Sequence, residues 1–402
     1  MIYAGIDWAD DHHDLVVIDE TAKTLGSLRV AHSVEGLAEL VAFLEGLCPD
    51  LTQLACVVET NRGLLIAALL DASLSVYPVN PKTVDRKRGA AGAKTDKIDA
   101  YLGASTGRAD LPDLRPLSPD SPLVAELKEL TRDQDNLIQM QTRLVNQLTA
   151  CLKTYYPVAL ELFTQLHQHS TLIFLQTYPI PGEAMAASVE ELIEVLGKAG
   201  HTRARAFGPK IYEKLHQPHL SASEVITRTK SRLMLNLVAQ LLPLVAGIAA
   251  YDKEVKRLFL KSADSEIFNS LPGAGKRLAP RLLAEIGEDR TRYPEATNLQ
   301  MVAGTAPVPF SSGNFSSVRR RLACIKPLRT ALYNFAWEST LQEEWAAEYY
   351  RRKRAEGKSH SEAVRALSNL WLRIIHAMWK KKNPYDRTVF LAAQKTHREK
   401  AA

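Results

Sequence analysis

The stretch Ala93–Ala100, A-K-T-D-K-I-D-A, decides how we interpret this chain. Asp96 and Asp99 stand three residues apart, and no glycine or proline interrupts the segment before Gly103. Because residues three apart lie on one face of a helix, this spacing places two carboxylates side by side. Most such pairs belong only to a solvated helix face. The pair therefore indicates a functional site only if further carboxylates reach it.

Two further acids come at the ends of buried strands earlier in the chain. Residues 2–7, I-Y-A-G-I-D, predict a strand that ends at Asp7, and residues 54–58 predict a strand that leads into Glu59. The predicted order is three strands, a helix, a strand, a helix, a strand, and the helix that carries the acidic pair. This order is typical of ribonuclease-H-like α/β domains, in which acids on neighbouring strands hold metal ions about 4 Å apart. Since all four candidate ligands offer oxygen, Mg²⁺ is the expected ion.

The histidines and cysteines do not predict a second metal site. The four cysteines are scattered without a C-x-x-C pair, so neither a disulfide framework nor a zinc knuckle is indicated, and a reducing cytoplasm fits. We expect His12 and His13 to be exposed turn residues. The histidine pairs at 167–169 and 216–219 lack a nearby cysteine and an H-E-x-x-H frame, so we do not assign them as ligands.

The charge of the chain is unevenly distributed. Of 402 residues, 46% are hydrophobic and 24% charged, which suits two or three folded domains. The N-terminus lacks the features of a signal peptide, and no window approaches twenty uninterrupted apolar residues, so we expect no membrane segment. From Ser316 onward there are 19 lysines and arginines against 8 acids, a net of +11, while residues 1–315 carry −5. The basic end predicts a polyanionic partner.

The middle of the chain predicts a helical arm. Three prolines in residues 115–122 indicate a linker. Leucine spacings of three, four and seven predict long helices over residues 123–155 and 224–260, which can pair antiparallel within the chain or across a dimer. The predicted domains are residues 1–115, residues 123–260 with an inserted segment at 156–223, and residues 265–402.

Two motifs in the last third are typical of phosphate contact. Ser270–Gly287 resembles a helix-hairpin-helix, in which the P-G-A-G turn and the next helix N-terminus offer free N–H groups to a DNA phosphate. This interpretation makes Gly273, Gly275 and Lys276 nucleic-acid contacts. The alternative is a tight turn between two helices without a ligand.

Residues 302–321, V-A-G-T-A-P-V-P-F-S-S-G-N-F-S-S-V-R-R-R, predict a tight irregular loop. A serine beside free amides and the guanidinium groups of Arg319, Arg320 and Arg321 can attack phosphorus, although serine clusters in loops usually have no such role. Helices are predicted at 327–339 and 361–379, separated by a solvated charged run at 351–358.

Together these motifs resemble the DEDD transposases of bacterial insertion sequences, the "one-ten" family of recombinases guided by a bridge RNA. Six motifs carry the resemblance: G-I-D-W-A at 5–9, V-V-E-T at 57–60, the opening A-K-T-D-K-I-D-A, L-P-G-A-G at 271–275, A-E-I-G at 284–287, and A-G-T-A-P…S-S-G at 303–313.

The resemblance implies specific roles for five residues. The acidic tetrad of the family corresponds to Asp7, Glu59, Asp96 and Asp99, in a domain similar to the RuvC resolvase, and its nucleophilic serine corresponds to Ser312. The family commonly has glutamine before that serine, where this chain has a second serine, so Ser312 is chosen for its glycine neighbour.

The resemblance also implies a mechanism and partners. The serine would attack a phosphodiester in donor or target DNA and become joined to it, with Mg²⁺ or Mn²⁺ at the tetrad. A structured bridge RNA would act as guide, and a dimer or tetramer would act in the bacterial cytoplasm at the nucleoid. The long arms permit a site shared between protomers. A metal-dependent structure-specific nuclease, a site-specific invertase with the same tetrad, and a non-catalytic nucleic-acid scaffold stay open as alternatives.

Overall fold

The computed structural model describes residues 1–88, 94–313 and 315–392. Ala93, the first residue of the acidic stretch, and Asn314 in the serine segment therefore lie outside the described residues. The chain divides into two compact units, Met1–Pro119 and Asp120–Ala402.

The first unit is built on a five-stranded mixed sheet in the order β3-β2-β1-β4-β5. Its strands are β1 (Ile2–Trp8), β2 (His12–Ile18), β3 (Thr24–Ala31), β4 (Leu54–Val58) and β5 (Ser75–Pro78). The first three form an antiparallel meander, while β1, β4 and β5 run parallel. The carboxyl ends of β1 and β4 therefore lie at the same edge of the sheet.

Helices cover both faces of this sheet. They are α1 (Val34–Leu47), α2 (Leu64–Asp71), α3 (Pro81–Lys87) and α4 (Asp96–Asp110). Successive strand residues point to opposite faces. Ala4 and Ile6 thus pack in the cluster that holds α1 and α2, whereas Tyr3 packs with Ala100 and Ala104 of α4. Burial on both faces explains why β1 and β4 are almost continuously apolar.

A glycine lets α4 lie directly on β1. A Cβ added to Gly5 would come within 1.9 Å of the carbonyl oxygen of Ala100 and 2.3 Å of the nitrogen of Ala104. Only a residue without a side chain permits this approach of backbone to backbone. Thr95 caps the helix by accepting a hydrogen bond from the nitrogen of Ile98. The first turn of α4, which carries both acids, is therefore held against the strand that carries Asp7.

The second unit is mostly helical. Its elements are α5 (Pro122–Tyr155), α6 (Val158–Leu162), α7 (His169–Thr177), α8 (Pro181–Ala186), α9 (Val189–Lys198), α10 (Ala204–Leu215), α11 (Glu224–Phe259), α12 (Ser265–Asn269), α13 (Gly275–Ile286), α14 (Ala296–Val302), β6 (Pro307–Ser312), β7 (Phe315–Arg320), α15 (Lys326–Ser339), α16 (Glu344–Ala355) and α17 (His360–Lys381).

The two long helices pair within the chain. Gln134 donates to Asp252 at 2.7 Å, and the thiol of Cys151 donates to the carbonyl of Lys230 at 3.4 Å. Since contacts later along α5 meet residues earlier along α11, the helices run antiparallel. By length and composition α11 would allow a membrane crossing, a test that core helices of other proteins also pass.

Each end of this helix pair supports its own hydrophobic cluster. At one end α6 to α10 pack on Leu148, Leu152 and Leu241, so the segment whose fold the sequence left undefined is a small helical bundle. At the other end α12 to α17 pack on Leu127 and Leu258.

One expectation for the last third was wrong. The segment predicted as an irregular loop forms the β6–β7 hairpin, which is largely exposed and therefore lacks the apolar periodicity of a buried strand. The run at 351–358 is solvated as predicted, but its first five residues belong to α16, which the sequence interpretation missed. The buried face of α16 lies earlier in the helix, at Trp345 and Ala346, with Tyr349 and Tyr350 partly buried beside them.

Candidate active site

The four predicted acids come from three neighbouring elements of the first unit. Asp7 lies in β1, and Glu59 directly follows β4. Since Ile6 is aligned with Val58 in the parallel pair, Asp7 and Glu59 come next on adjacent strands. Asp96 and Asp99 occupy the first turn of α4.

The electrostatics of Asp7 show that these carboxylates face one another. The pKa of Asp7 is raised to about 6, first by burial and then, in order of importance, by the charges of Asp99, Glu59, Asp96 and Asp14. The pKa of Glu59 is also raised, by burial first and then by Asp99. In the described part of the chain, neither Asp7 nor Glu59 has a hydrogen-bonding or ion-pair partner. A cation between them would relieve this repulsion.

Arginines already hold the two acids of α4. Arg88 pairs with Asp99 and, at 2.9 Å, with Asp85. Arg29 of β3 bridges two carboxylates, because one of its nitrogens lies 3.0 Å from Asp96 and 2.8 Å from Asp14. Asp7 and Glu59 thus have no ion-pair partner among the described residues, while the two acids of α4 are neutralised by guanidinium groups.

The structure adds a cluster that the sequence interpretation missed. Ligand atoms of His12, Asp14 and Asp96 all lie within 4.8 Å of one another. The Nε2 atom of His12 is 3.4 Å from Asp96 and 3.6 Å from Asp14. All four predicted ligands are among the described residues, and no three of them meet this 4.8 Å limit. A metal held by three or more of the predicted acids would therefore require their side chains to move closer together.

The expectation that His12 and His13 lie in an exposed turn was wrong. Both belong to β2; His13 is buried, and its Nε2 lies 2.8 Å from Nδ1 of His32. Asp14 stands opposite Asp7 in the antiparallel pair. The signal for Asp14 was present in the sequence as the alternation of His12 and Asp14, which places both side chains on one face of a strand.

The predicted serine lies in the second unit, at the tip of the β6–β7 hairpin. Ser312 is aligned with Phe315, and Ser311 with Ser316. Both Ser311 and Ser312 are exposed, and Gly313 has a φ of +55°, which favours glycine in the turn.

The register of the hairpin separates the predicted arginines. Residues directly opposite each other share a face, so Arg319 lies on the face of Ser312 and Arg320 on the face of Ser311. The guanidinium carbon of Arg319 stands 3.7 Å from the ring centre of Phe310, which holds the charge on that face. The Nε atom of Arg321 is buried without a hydrogen-bond partner among the described residues.

The predicted helix-hairpin-helix is a turn between α12 and α13 with glycines of positive φ at 273 and 275. A Cβ on Gly273 would lie 3.0 Å from the backbone of Glu338, so the turn packs against α15, whereas Gly275 faces open space. Lys276 is exposed but lies 3.2 Å from Asp252. The open side of the turn is therefore the part around Gly275 and Lys276.

The comparisons with known proteins identify the class. A family model described as a transposase, of the DEDD type of IS110, matches residues 4–157, and one described as the IS116/IS110/IS902 transposase family matches residues 265–351. The first match contains all four predicted acids, and the second contains Ser312. The molecule is thus a transposase, an enzyme that acts on DNA.

Relatives extend this likeness over the whole chain. The mini-circle putative transposase for IS117 of Streptomyces coelicolor is 33% identical over 397 residues, covering 96% of this chain and 95% of the relative. Uncharacterized proteins of IS900 from Mycobacterium paratuberculosis and IS116 from Streptomyces clavuligerus are each 28% identical, covering 94% and 95% of this chain and 95% of each relative. The chain belongs to the IS110/IS116 family of insertion-sequence transposases, which confirms the family predicted from its motifs.

Proposed function

We propose that this transposase exchanges DNA strands through a covalent bond between Ser312 and DNA, with a divalent metal at the acidic site of the first unit. The observation that carries the proposal is the unpaired, mutually repelling pair of Asp7 and Glu59 at the ends of adjacent parallel strands, with the acids of α4 beside it. The strand order also agrees with the ribonuclease-H-like or RuvC-like fold expected from the sequence.

The acidic residues fit a hard cation. Their side chains offer carboxylate oxygens alone, which suits Mg²⁺ or Mn²⁺. Burial first, and then the charges of Asp99 and Glu59, raise the pKa of Asp7, and a bound cation would offset both effects. When bound by Asp7, Glu59, Asp96 and Asp99, the metal would supply positive charge to the phosphorus centre and to the leaving oxygen.

The hairpin residues would perform the bond exchange. The Oγ atom of Ser312 attacks phosphorus and forms a serine phosphodiester, while the bond from phosphorus to the departing strand breaks and its oxygen takes up a proton. Arg319, fixed over Phe310 on the same face, would balance negative charge on the phosphate. Rejoining reverses these steps with a hydroxyl of another strand, so no nucleotide hydrolysis is required.

The partners of this reaction are donor and target double-stranded DNA and a structured bridge RNA. The chain lacks a recognisable base-reading module such as a zinc finger in its sequence, and base pairing by a guide would supply the sequence choice. The basic last fifth, together with Gly273, Gly275, Lys276 and Arg319–Arg321, would hold nucleic acid backbones. We further propose that the enzyme works as a dimer or tetramer in the cytoplasm, at the nucleoid.

The metal-dependent step is tested by strand cleavage in Mg²⁺ with and without EDTA. Asp7→Asn should abolish cleavage, and so should Glu59→Gln, Asp96→Asn and Asp99→Asn, because each removes a charged ligand. Asp10→Asn is the matched control, since Asp10 is exposed in the turn after β1. Full cleavage by Asp7→Asn, or by wild type in EDTA, would contradict the metal site.

The guide is tested separately with protein freed of RNA. Recombination of matched DNA substrates should require addition of the noncoding transcript of the element. Undiminished site-specific joining by the RNA-free protein would refute the guide and leave the serine and metal proposals standing.

A further inference from the structure

The second unit contains an arginine-lined cavity of about 220 Å³ at the base of the β6–β7 hairpin. It lies where the end of β7 meets α15 and α17. The lining side chains that can donate into it are Arg320, Arg329, Tyr333, Ser361 and Arg365. No acidic side chain is among its lining residues in the described part of the chain.

Two of these arginines are half-buried and, in the part of the chain that the structure describes, have no carboxylate within ion-pair distance. Among the described residues Arg329 and Arg365 make no salt bridge. The acid whose charge Arg365 affects is exposed Glu362, whose pKa is lowered first by hydrogen bonds with Ser359 and only weakly by Arg365. Other partly buried arginines of the same unit are neutralised within the fold, as Arg281 is by Asp135 at 2.6 Å. Taking a guanidinium group partly out of water is unfavourable unless an anion pairs with it. The unpaired arginines therefore indicate an anion that is supplied from outside the chain.

We infer that this cavity binds one backbone phosphate of DNA. A guanidinium group presents a planar fork of N–H donors that matches phosphate oxygens, and the hydroxyl of Ser361 adds a neutral donor. The cavity is smaller than the roughly 300–1,000 Å³ of sites for drug-sized molecules, so it suits a group of phosphate size. Contacts of this kind set the register of the protein on DNA and carry no base sequence.

The bound phosphate is not the one that Ser312 attacks. Arg320 is aligned with Pro307 at the base of β6, five residues from Ser312. At about 3.3 Å per residue this is about 17 Å along the strand, or roughly five steps of a duplex at 3.4 Å each. The identity of the ligand as substrate DNA rests on the proposed function, and the cavity would then anchor the duplex at a fixed distance from the reacting bond.

The test measures binding in EDTA, where the proposed chemistry cannot proceed, so its outcome is independent of cleavage. A fluorescein-labelled duplex of random sequence is titrated by anisotropy over a salt series. The double variant Arg329→Ala with Arg365→Ala should bind about tenfold more weakly or worse. Its slope of log affinity against log salt should fall by about one, since one phosphate contact is lost.

Matched variants separate this site from general charge. Arg373→Ala removes one positive charge from an exposed position of the same helix, α17, and should change affinity by less than about twofold. The double lysine variant of Arg329 and Arg365 should recover part of the affinity. Thermal melting of each variant verifies folding.

Three results would overturn the inference. The double alanine variant could keep the duplex affinity and salt slope of wild type, or it could lose no more duplex affinity than Arg373→Ala does. It could also lose affinity for structured RNA alone and bind the duplex as well as wild type. Calorimetry with inorganic phosphate adds a fourth outcome. Phosphate binding that the double variant abolishes, with duplex affinity intact, would assign the cavity to the free anion. Failure of the proposed function would instead appear as wild-type protein that binds duplex normally and never cleaves it.

Discussion

Asp7 should destabilise the metal-free fold, and Asp7→Asn should therefore stabilise it. The pKa of Asp7 is raised from 3.8 to about 6 in the folded protein. Folding at neutral pH thus holds an ionised carboxylate against burial and against neighbouring acids. A shift of about two units corresponds to roughly 3 kcal/mol at most, and because Asp7 is only partly buried we expect about 1–2 kcal/mol.

The pH dependence has a definite sign. Between about pH 3.8 and 6 the folded protein binds more protons at Asp7 than the unfolded chain, so stability falls as pH rises through this window. The advantage of Asp7→Asn should be full above about pH 6. It should shrink towards zero near pH 4, where the folded wild-type protein is protonated at the same position.

Hydrogen–deuterium exchange measures this effect region by region, which suits a chain with two units. In EDTA at about pH 7.5, peptides that span β1 and β4 should exchange about 5- to 30-fold more slowly in Asp7→Asn than in wild type. Exposed Asp10 provides the control, and Asp10→Asn should change little. Added Mg²⁺ should slow exchange in wild type and not in the variant. Faster exchange in Asp7→Asn would refute the reasoning, because it would mean that a partner stabilises the carboxylate.

Two further predictions concern the surroundings of the acids. Arg88→Ala should strengthen Mn²⁺ binding severalfold by calorimetry, because Arg88 forms an ion pair with Asp99 and so competes with the metal. Arg86 is exposed, and Arg86→Ala should leave Mn²⁺ binding unchanged. Weaker Mn²⁺ binding by Arg88→Ala would mean that the arginine positions the Asp99 carboxylate for the metal. Gly5→Ala should lower the free energy of unfolding by at least about 2–3 kcal/mol, because the new Cβ would meet the backbone of α4. A Cβ added to Gly46 in α1 meets nothing within 4 Å, so Gly46→Ala should be neutral or slightly stabilising. Equal melting temperatures for the two variants would contradict the close approach of α4 to β1.

Buried elements were predictable because they carry a periodic signal. The apolar runs of β1 and β4 and the leucine stripes of α5 and α11 appear in the structure close to their predicted bounds. The order of these elements also predicts that Asp7 and Glu59 end neighbouring strands, and the parallel pairing of β1 with β4 has this arrangement.

The remaining features depend on register and tertiary contact. Asp14 meets Asp7 only through the pairing of β1 with β2, and Arg29 reaches Asp96 only through the next strand. The β6–β7 hairpin is exposed and rich in serine, so no apolar alternation marks it. Arg329 and Arg365 come together only when α15 packs on α17, which sequence spacing does not reveal.

The most direct test of the central claim is the site of covalent attachment to DNA. Wild-type protein is incubated with guide RNA, matched DNA and Mg²⁺, then denatured, digested and analysed by mass spectrometry for a peptide that carries a nucleotide. The account predicts the nucleotide on Ser312, no adduct with Ser312→Ala, and a retained adduct with Ser311→Ala. Cleaved DNA without any protein adduct would contradict the covalent mechanism and favour a nuclease, and an adduct on Ser311 would keep the mechanism while correcting its nucleophile.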